Sequence, residues 1–301
     1  MPNTLAHFGV QGLATRALIR DADVKWIFLG CVISDIPWIL ILVVNRVWPG
    51  IDPYDLRLYA IVLASLAASL LLSVALALVS KRPGIVFAVL ALNSLLSLLL
   101  DALQRKWGNG VHLLAPFSWD LVNLGLFWPE SVTSYVLTAF GFAAFLFLWR
   151  CSPGRSVDLS FRASRRVVLS AVLIGAYLAI PLCILTGPEK QDNHSVQTLR
   201  HQNSRLGKVV QFDREDYVVR EGQEFLRTFA GEELAVVGTT LGHAGTVSVR
   251  ATFIDDRTIL VHELREHFGV WRDGASILGL ALLLALWIAA LRRSVQQTST
   301  G

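Results

Sequence analysis

The chain has 301 residues, of which 53% are hydrophobic and 17% are charged, and its formal net charge is +4. Soluble globular chains contain about 45–50% apolar and about 25% charged residues, so this composition argues against an ordinary soluble domain. The positive charge does not indicate a nucleic-acid partner, because the Lys and Arg residues stand beside long apolar blocks, as the positive-inside rule describes.

The first 24 residues are too polar to supply the apolar region of a cleaved signal peptide. We expect residues 1–24 to form an N-terminal helix that lies at the membrane interface or re-enters the membrane. His7 falls near the start of this stretch, where a surface position on an interfacial helix is the simplest interpretation.

Six apolar blocks follow, each near the length of about 20 residues that a helix needs to span a bilayer. They cover residues 26–44, 58–79, 84–100, 132–149, 167–186 and 275–291. The predicted fold class is therefore an all-α membrane protein with about six transmembrane helices. Spans one to five fall within residues 25–186, span six falls within 275–293, and residues 294–301 form a tail.

The distribution of Lys and Arg orients these spans. Residues 150–166, between the fourth and fifth spans, include five arginines and one acidic residue, which predicts a cytoplasmic loop. Six spans then place both termini in the cytoplasm and residues 187–274 on the periplasmic side of a bacterial inner membrane.

Residues 187–274 differ in character from the rest of the chain. Runs rich in Val, Ile and Thr, separated by turns with Gly and Asp, predict strands at 208–212, 234–237, 246–253 and 258–263. We expect a small antiparallel β-domain that could close into a barrel, inserted between the fifth and sixth spans. Residues 187–204 are rich in Gln, Asn, Asp and His, a composition typical of a solvated linker.

Five of the seven histidines fall in this domain, at His194, His201, His243, His262 and His267. His262 and His267 are separated by one residue more than the zincin motif HExxH allows, so they would diverge from one face of a helix. We therefore expect the five histidines to be solvated surface residues.

Asp35 is the polar residue that a membrane helix explains least well. It lies inside the first apolar block just before Pro37, and an acid at that depth costs about 2.5–3.5 kcal/mol unless it faces a partner or a water-filled cavity. A functional role and an interfacial position are both open. The mixed loop after Asp101 is also ambiguous, since Trp107, Trp119 and Trp128 could form only an interfacial aromatic belt.

Four segments of the first 130 residues together carry a resemblance to a known family. They are residues 1–9 (MPNTLAHFG), Gly30 with 34–37 (SDIP), 100–104 (LDALQ) and 110–118 (GVHLLAPFS). In order, spacing and residue type they resemble the inner-membrane family of metal-dependent hydrolases of the LexA-binding inner-membrane-associated type, distant relatives of zinc-dependent phospholipase C.

The resemblance implies a divalent-metal site, for which zinc would be suitable, near the membrane surface. Its implied metal ligands are His7, Asp35 and Asp101. The implied catalytic residues are Asp35, Asp101 and His112, and the implied neighbours are Asn3 and Ser118. The implied activity is hydrolysis of a phosphoester or a lipid-like substrate by a metal-bound hydroxide. A shared site requires residues 4–19 to tuck into the membrane, or the first span to break near Asp35, because His7 and Asp101 otherwise lie on opposite sides.

The sequence departs from the family pattern at two places. Residues 55–59 (DLRLY) replace a segment that begins His-Arg and continues with Thr-His-Ser, and Ser97 stands where a His precedes the later Asp by four residues. These departures leave open a non-catalytic membrane protein whose β-domain binds an envelope partner. A transporter is a third class, which the missing internal repeat and the few intramembrane charges argue against.

Overall fold

The structure is a computed structural model that describes residues 3–151, 159, 164–269 and 271–299, without the side chains of residues 164 and 294–299. The described part has five helices that are long and apolar enough to cross a membrane: Val24–Val47, Pro83–Ala102, Val132–Cys151, Arg165–Ile184 and Trp271–Arg293. A bent pair of helices adds a sixth candidate span. The expectation of a largely helical chain, with several helices long and apolar enough to cross a membrane and a separate β-sheet region, is confirmed.

The bent pair consists of α4 (Pro53–Leu63) and α5 (Leu66–Leu78). The chain direction bends by 68° between the two helices. The sequence predicted one continuous span here, because residues 58–79 are largely apolar and uncharged. The Ser65 hydroxyl accepts a hydrogen bond from the Ala68 backbone N–H at 3.3 Å and so caps a new helix. A single small polar residue thus interrupts the span.

The first candidate span is also interrupted. It consists of α2 (Val24–Gly30), a 3₁₀ turn at Ile33–Asp35 and α3 (Ile36–Val47). Pro37 lies in the first turn of α3, where its missing backbone N–H removes no helical hydrogen bond. The polar break therefore falls at Asp35, between the apolar segments 26–33 and 36–44.

The N-terminal helix α1 (Thr4–Leu18) lies inside the helical bundle, so the expected surface position of His7 is wrong. α1 packs against α6 (Pro83–Ala102), α7 (Val132–Cys151) and α11 (Trp271–Ser299). Gly141 makes the contact with α7 possible, because a Cβ atom there would lie 1.9 Å from the Leu5 carbonyl oxygen. The rings of Phe8, Phe28 and Phe145 stack beside this contact.

The segment after α8 (Ser164–Ile184) is folded and not a solvated linker as predicted. It forms α9 (Thr186–Gln191) and α10 (Val196–Arg200), and Val196 and Leu199 are buried. The Asp192 carboxylate accepts hydrogen bonds from the backbone N–H groups that open α10. Residues 294–299, predicted as a tail, continue α11.

Five strands form a closed barrel: β1 (Val209–Arg220), β2 (Gln223–Arg227), β3 (Glu233–Gly238), β4 (Gly245–Phe253) and β5 (Thr258–His267). Their order around the barrel is β1-β2-β3-β5-β4. Because β3 and β5 are parallel, the prediction of an entirely antiparallel domain was wrong. The predicted strand runs correspond to β1, β3, β4 and β5, whereas β2 was missed. A five-stranded mixed barrel resembles the oligonucleotide- and oligosaccharide-binding architecture, which by itself assigns no function.

The barrel rests on the loop between α6 and α7. Gly108 adopts a positive φ of 62°, and its backbone N–H donates to Gln211 Oε1 of β1 at 3.0 Å. The ring of Trp107 lies against Trp128, and the Arg250 guanidinium lies 4.9 Å from the centre of the Trp107 ring. Trp107 and Trp128 therefore join the bundle to the barrel, a role beyond that of the interfacial aromatic belt considered from the sequence.

Candidate functional site

Three charged or ionisable side chains meet inside the helical bundle. His7 Nε2 lies 4.0 Å from Asp101 Oδ1, and Lys106 Nζ lies 3.5 Å from the same oxygen. α1 supplies His7, the last turn of α6 supplies Asp101, and the following loop supplies Lys106. All three are buried. We call His7, Asp101 and Lys106 the inner cluster.

Ser97 connects the inner cluster to the interrupted first span. Its hydroxyl lies 3.3 Å from His7 Nδ1 and donates to the Cys31 carbonyl oxygen at 3.1 Å. Ser34, the residue before Asp35, donates to Ser97 Oγ at 3.2 Å. The position at which the resemblance implies an imidazole thus lies directly beside His7.

Asp35 is buried next to this network, and one of its carboxylate oxygens has no hydrogen-bond partner among the residues that the structure describes. It lies within electrostatic range of Asp101 and Lys106. The structure therefore places His7, Asp35 and Asp101 in one region of the bundle, although they are far apart in sequence.

Asn3 and Ser118, the two implied neighbours of the site, form local hydrogen bonds. Asn3 caps α1 by accepting a hydrogen bond from the Ala6 backbone N–H at 3.1 Å, and it donates to Thr138. Ser118 donates to Asp120 at 2.7 Å within the α6–α7 loop. The Asn3 backbone carbonyl also accepts a hydrogen bond from the His7 backbone N–H at 3.4 Å, within the first turn of α1.

In the described part of the chain, the inner cluster does not have the donor set of a catalytic metal site. Catalytic zinc sites use three protein ligands at about 2 Å each. Within residues 3–151, 159, 164–269 and 271–299, no three His, Cys, Asp or Glu side chains are grouped closely enough to hold one ion. The Lys106 ammonium also lies against the Asp101 oxygen that faces His7. The described donor set does not fit a three-ligand metal site.

A second polar cluster lies where the bundle meets the barrel, and it includes His112. His112 Nε2 lies 3.1 Å from His194 Nε2, and both imidazoles are buried. His194 was expected on the surface, but it comes from the folded segment before α10. Burial lowers the pKa of His112 to about 4. Burial and then the nearby Arg57 guanidinium lower the pKa of His194 well below its ordinary value, so both rings are neutral at pH 7.

Arg57 of α4 completes this second group, and we call Arg57, His112 and His194 the junction cluster. The Arg57 guanidinium lies 4.1 Å from the centre of the Phe229 ring, which belongs to the β2–β3 turn of the barrel. Arg57 falls within the segment that departs from the family pattern, and nothing in the sequence marked His194 as its neighbour. A contact between residues 112 and 194 depends on how the barrel sits on the bundle.

Asp101 and Lys106 of the inner cluster and the whole junction cluster line a cavity of about 410 Å³ between the bundle and the barrel. Its ionisable lining residues are Arg57, Asp101, Lys106, His112, His194, Asp213, Arg214 and Arg272. Its apolar wall is formed mainly by Trp38, Ile41, Leu42, Leu56 and Ile61 of α3 and α4. The cavity therefore combines a charged surface with an apolar one.

His267 belongs to a separate network at the edge of the barrel. Its ring lies 2.7 Å from Ser248 Oγ and 3.1 Å from Glu130 Oε2, and Glu130 forms an ion pair with Arg214. Burial lowers the pKa of His267 to about 4. His267 is thus a buried structural residue, whereas His201, His243 and His262 are exposed as expected.

Comparison of the chain with family models, curated proteins and solved structures found no significant match.

Proposed function

We propose that this protein is a non-catalytic membrane protein that binds a ligand in the cavity between its helical bundle and its β-barrel. The Lys106–Asp101 ion pair carries this proposal. The Lys106 ammonium lies at the carboxylate oxygen that a metal shared with His7 would need, so a protein cation takes the electrostatic role of the metal. The inner cluster then stabilises the fold, and the cavity above it receives the ligand.

The size and lining of the cavity support this function. Ligand sites in proteins have volumes of about 300–1,000 Å³ and combine an apolar lining with a few convergent polar groups. This cavity has a volume of about 410 Å³, and its polar groups converge from the bundle, the α6–α7 loop and the barrel. In this proposal the binding partner of the barrel is therefore the ligand in the cavity.

The experiment is native mass spectrometry of the purified full chain in detergent, together with elemental analysis for metals. We expect a retained non-covalent ligand and no stoichiometric metal. Ala64→Phe should expel the ligand because Ala64 lines the cavity, whereas Ala67→Phe should retain it because Ala67 is exposed on α5. Retention of the same ligand mass by Ala64→Phe would contradict the proposal.

The metal-dependent hydrolase is the second candidate function. The approach of His7 Nε2 to within 4.0 Å of Asp101 Oδ1 favours it, since two ligands of one ion at about 2 Å each are separated by no more than about 4 Å. Its substrate would be a phosphoester or a lipid-like molecule. About one bound zinc ion per chain, and phosphoester hydrolysis that is abolished by a chelator and by Asp101→Asn, would establish it over the binding function.

We also propose a bacterial inner membrane with both termini in the cytoplasm and the barrel in the periplasm. Support comes from the arginines of the loop 150–166, of which residues 152–158 and 160–163 lie outside the described residues. An even number of spans, with the bent pair counted as one, is consistent with termini on the same side. An active periplasmic reporter fused at Gly301, or an inactive one at Asp192, would contradict this orientation.

A further inference from the structure

Arg57 differs from the other charged residues of the cavity. Among the residues that the structure describes, Arg57 forms no ion pair, and its Nε atom is buried without a hydrogen-bond partner. Its described contact is with the face of the Phe229 ring. A buried guanidinium without a counter-ion is unfavourable, because it loses hydration without gaining an attractive partner.

The neighbouring charges of the cavity have partners within the protein. Lys106 pairs with Asp101, and Arg214 pairs with Glu130. Asp213 accepts hydrogen bonds from Asn109 and from Ser248, each at 3.1 Å. The Asp213 charge still acts on Arg57 at longer range, but among the described residues no carboxylate lies within salt-bridge distance of the guanidinium.

Among the carboxyl groups of the barrel, Glu215 has the strongest electrostatic effect on Arg57. It compensates the Arg57 charge only in part. Glu215 is buried on β1. Burial raises the pKa of Glu215 to about 7, although the Arg57 charge opposes this rise. A carboxyl group with that pKa is half protonated at neutral pH, so much of the Arg57 charge is left for a ligand.

The chemistry of the junction cluster selects a phosphate-type anion. A guanidinium presents a planar set of donors that matches two oxygens of a phosphate group. The imidazole of His194 lies close enough to feel the Arg57 charge. When His112 Nε2–H donates to His194 Nε2, the one N–H of the neutral His194 ring is on Nδ1, which has no hydrogen-bond partner among the described residues and can donate to a ligand. One wall of the cavity is thus suited to an anionic head group.

The apolar part of the cavity lining is suited to a hydrocarbon chain. Trp38, Ile41 and Leu42 belong to α3, the second half of the candidate span Val24–Val47. Leu42 lines the cavity and is also 73% exposed on the outside of the protein. Because this helix is apolar enough to cross a membrane, the cavity opens along a surface that acyl chains would cover.

We infer that the cavity binds an anionic phospholipid, with its phosphate group on Arg57 and one acyl chain along Trp38, Ile41 and Leu42. The inference rests on the proposed function, because it names the ligand class of the same cavity. A soluble phosphate compound offers the same charge without the chain, so the experiment separates the two sources.

The test measures binding of dioleoyl phosphatidylglycerol, dioleoyl phosphatidylcholine and glycerol 3-phosphate to the purified full chain by native mass spectrometry. We expect the wild type to prefer phosphatidylglycerol. Arg57→Gln should weaken that binding about tenfold or more, because a charge-assisted hydrogen bond is lost. Arg57→Lys, which keeps the charge but not the planar donors, should retain part of the affinity.

Arg46→Gln is the matched control, because Arg46 is exposed near the end of the same helix α3 and does not line the cavity. We expect Arg46→Gln to bind phosphatidylglycerol as the wild type does. An equal loss in Arg46→Gln and Arg57→Gln would show general attraction of the surface to anionic lipid and overturn the inference.

Two further outcomes are decisive. Binding of glycerol 3-phosphate as tight as that of the lipid, with the same dependence on Arg57, would overturn the lipid assignment in favour of a soluble phosphate compound. Lipid binding that is lost in Ala64→Phe but retained in Arg57→Gln would leave the proposed function standing and overturn this inference alone. Binding unaffected by either variant would overturn both.

Discussion

The inner cluster and the junction cluster line one cavity but balance their charges in different ways. In the inner cluster the Asp101 carboxylate has the Lys106 ammonium at 3.5 Å. In the junction cluster the Arg57 guanidinium lies near imidazoles and an aromatic ring, and the charges of Glu215 and Asp213 act on it without a direct ion pair among the described residues. Asp101 thus has a protein cation at salt-bridge distance, whereas the donors of Arg57 are left to bind an anionic ligand.

The largest expected effect tests the first half of this comparison. Lys106→Met removes a cation that compensates the buried Asp101 carboxylate, and we expect it to lower the free energy of unfolding by about 3–5 kcal/mol. Thermal unfolding in detergent measures the change. The double variant Lys106→Met/Asp101→Leu should recover most of the loss. Arg57→Met, the matched change in the junction cluster, should cost about 1 kcal/mol or less. Equal losses in Lys106→Met and Arg57→Met would remove the distinction between the clusters.

The next effect tests the close packing of α1, which carries His7 of the inner cluster, against α7. Gly141→Ala places a Cβ atom 1.9 Å from the Leu5 carbonyl oxygen, and we expect it to destabilise the protein by about 2–3 kcal/mol. Gly175→Ala on α8 is the control, because a Cβ atom there has no other atom within 4 Å. The control should be neutral or stabilising by up to about 1 kcal/mol from helix propensity. Similar melting temperatures for the two variants would contradict the tight α1–α7 contact.

A smaller effect concerns the carboxyl group beside Arg57. The native pKa of Glu215 is raised to about 7, so its contribution to stability is full below the unfolded pKa near 4.5 and is lost as the pH rises towards 7. Glu215→Gln cannot ionise and escapes this loss. We therefore expect the variant to gain stability relative to wild type between pH 5 and pH 8, by about 2 kcal/mol. Melting curves across this range measure the gain, and a pH-independent difference would show that Arg57 neutralises Glu215 completely.

The smallest expected effect concerns Asp35, for which the two candidate functions differ in sign. Asp35→Asn keeps the shape of the side chain and removes its charge. The binding function predicts an unchanged or slightly raised melting temperature, because a buried carboxylate without a full set of hydrogen bonds is relieved. A chelator should leave the wild type unaffected. A lower melting temperature for Asp35→Asn, together with destabilisation by the chelator, would restore the metal-dependent hydrolase.

The helical part of the fold could largely be predicted from the sequence, because an apolar block of about 20 residues has few alternatives to a membrane helix. The bend at Ser65 could not, since residues 58–79 contain three serines in an otherwise apolar run and nothing in the pattern distinguishes Ser65 as the one that caps a new helix. β2 was missed because Gln223–Arg227 has two charges in five residues. Its pairing with β1, and not its composition, makes it a strand.

The candidate site was predictable in part. The segments that carry the resemblance pointed to His7, Asp35 and Asp101, and the fold places them in one region. His194 was not predictable, because the polar composition of residues 187–204 is typical of solvated chain, and its contact with His112 spans 82 positions of sequence. Such a contact depends on tertiary packing that local patterns do not record.

The 68° bend between α4 and α5 has a mechanical consequence. α5 packs with α6 and α8 inside the bundle, whereas the first turn of α4 is held from the barrel side. There the Tyr54 hydroxyl donates to the Leu199 carbonyl oxygen at 3.4 Å, and the Tyr54 ring lies edge-on to Phe229. Because Arg57 follows one turn later, a tilt of the barrel carries the guanidinium with it. We therefore expect a tilt of the barrel relative to the bundle to change the width of the cavity.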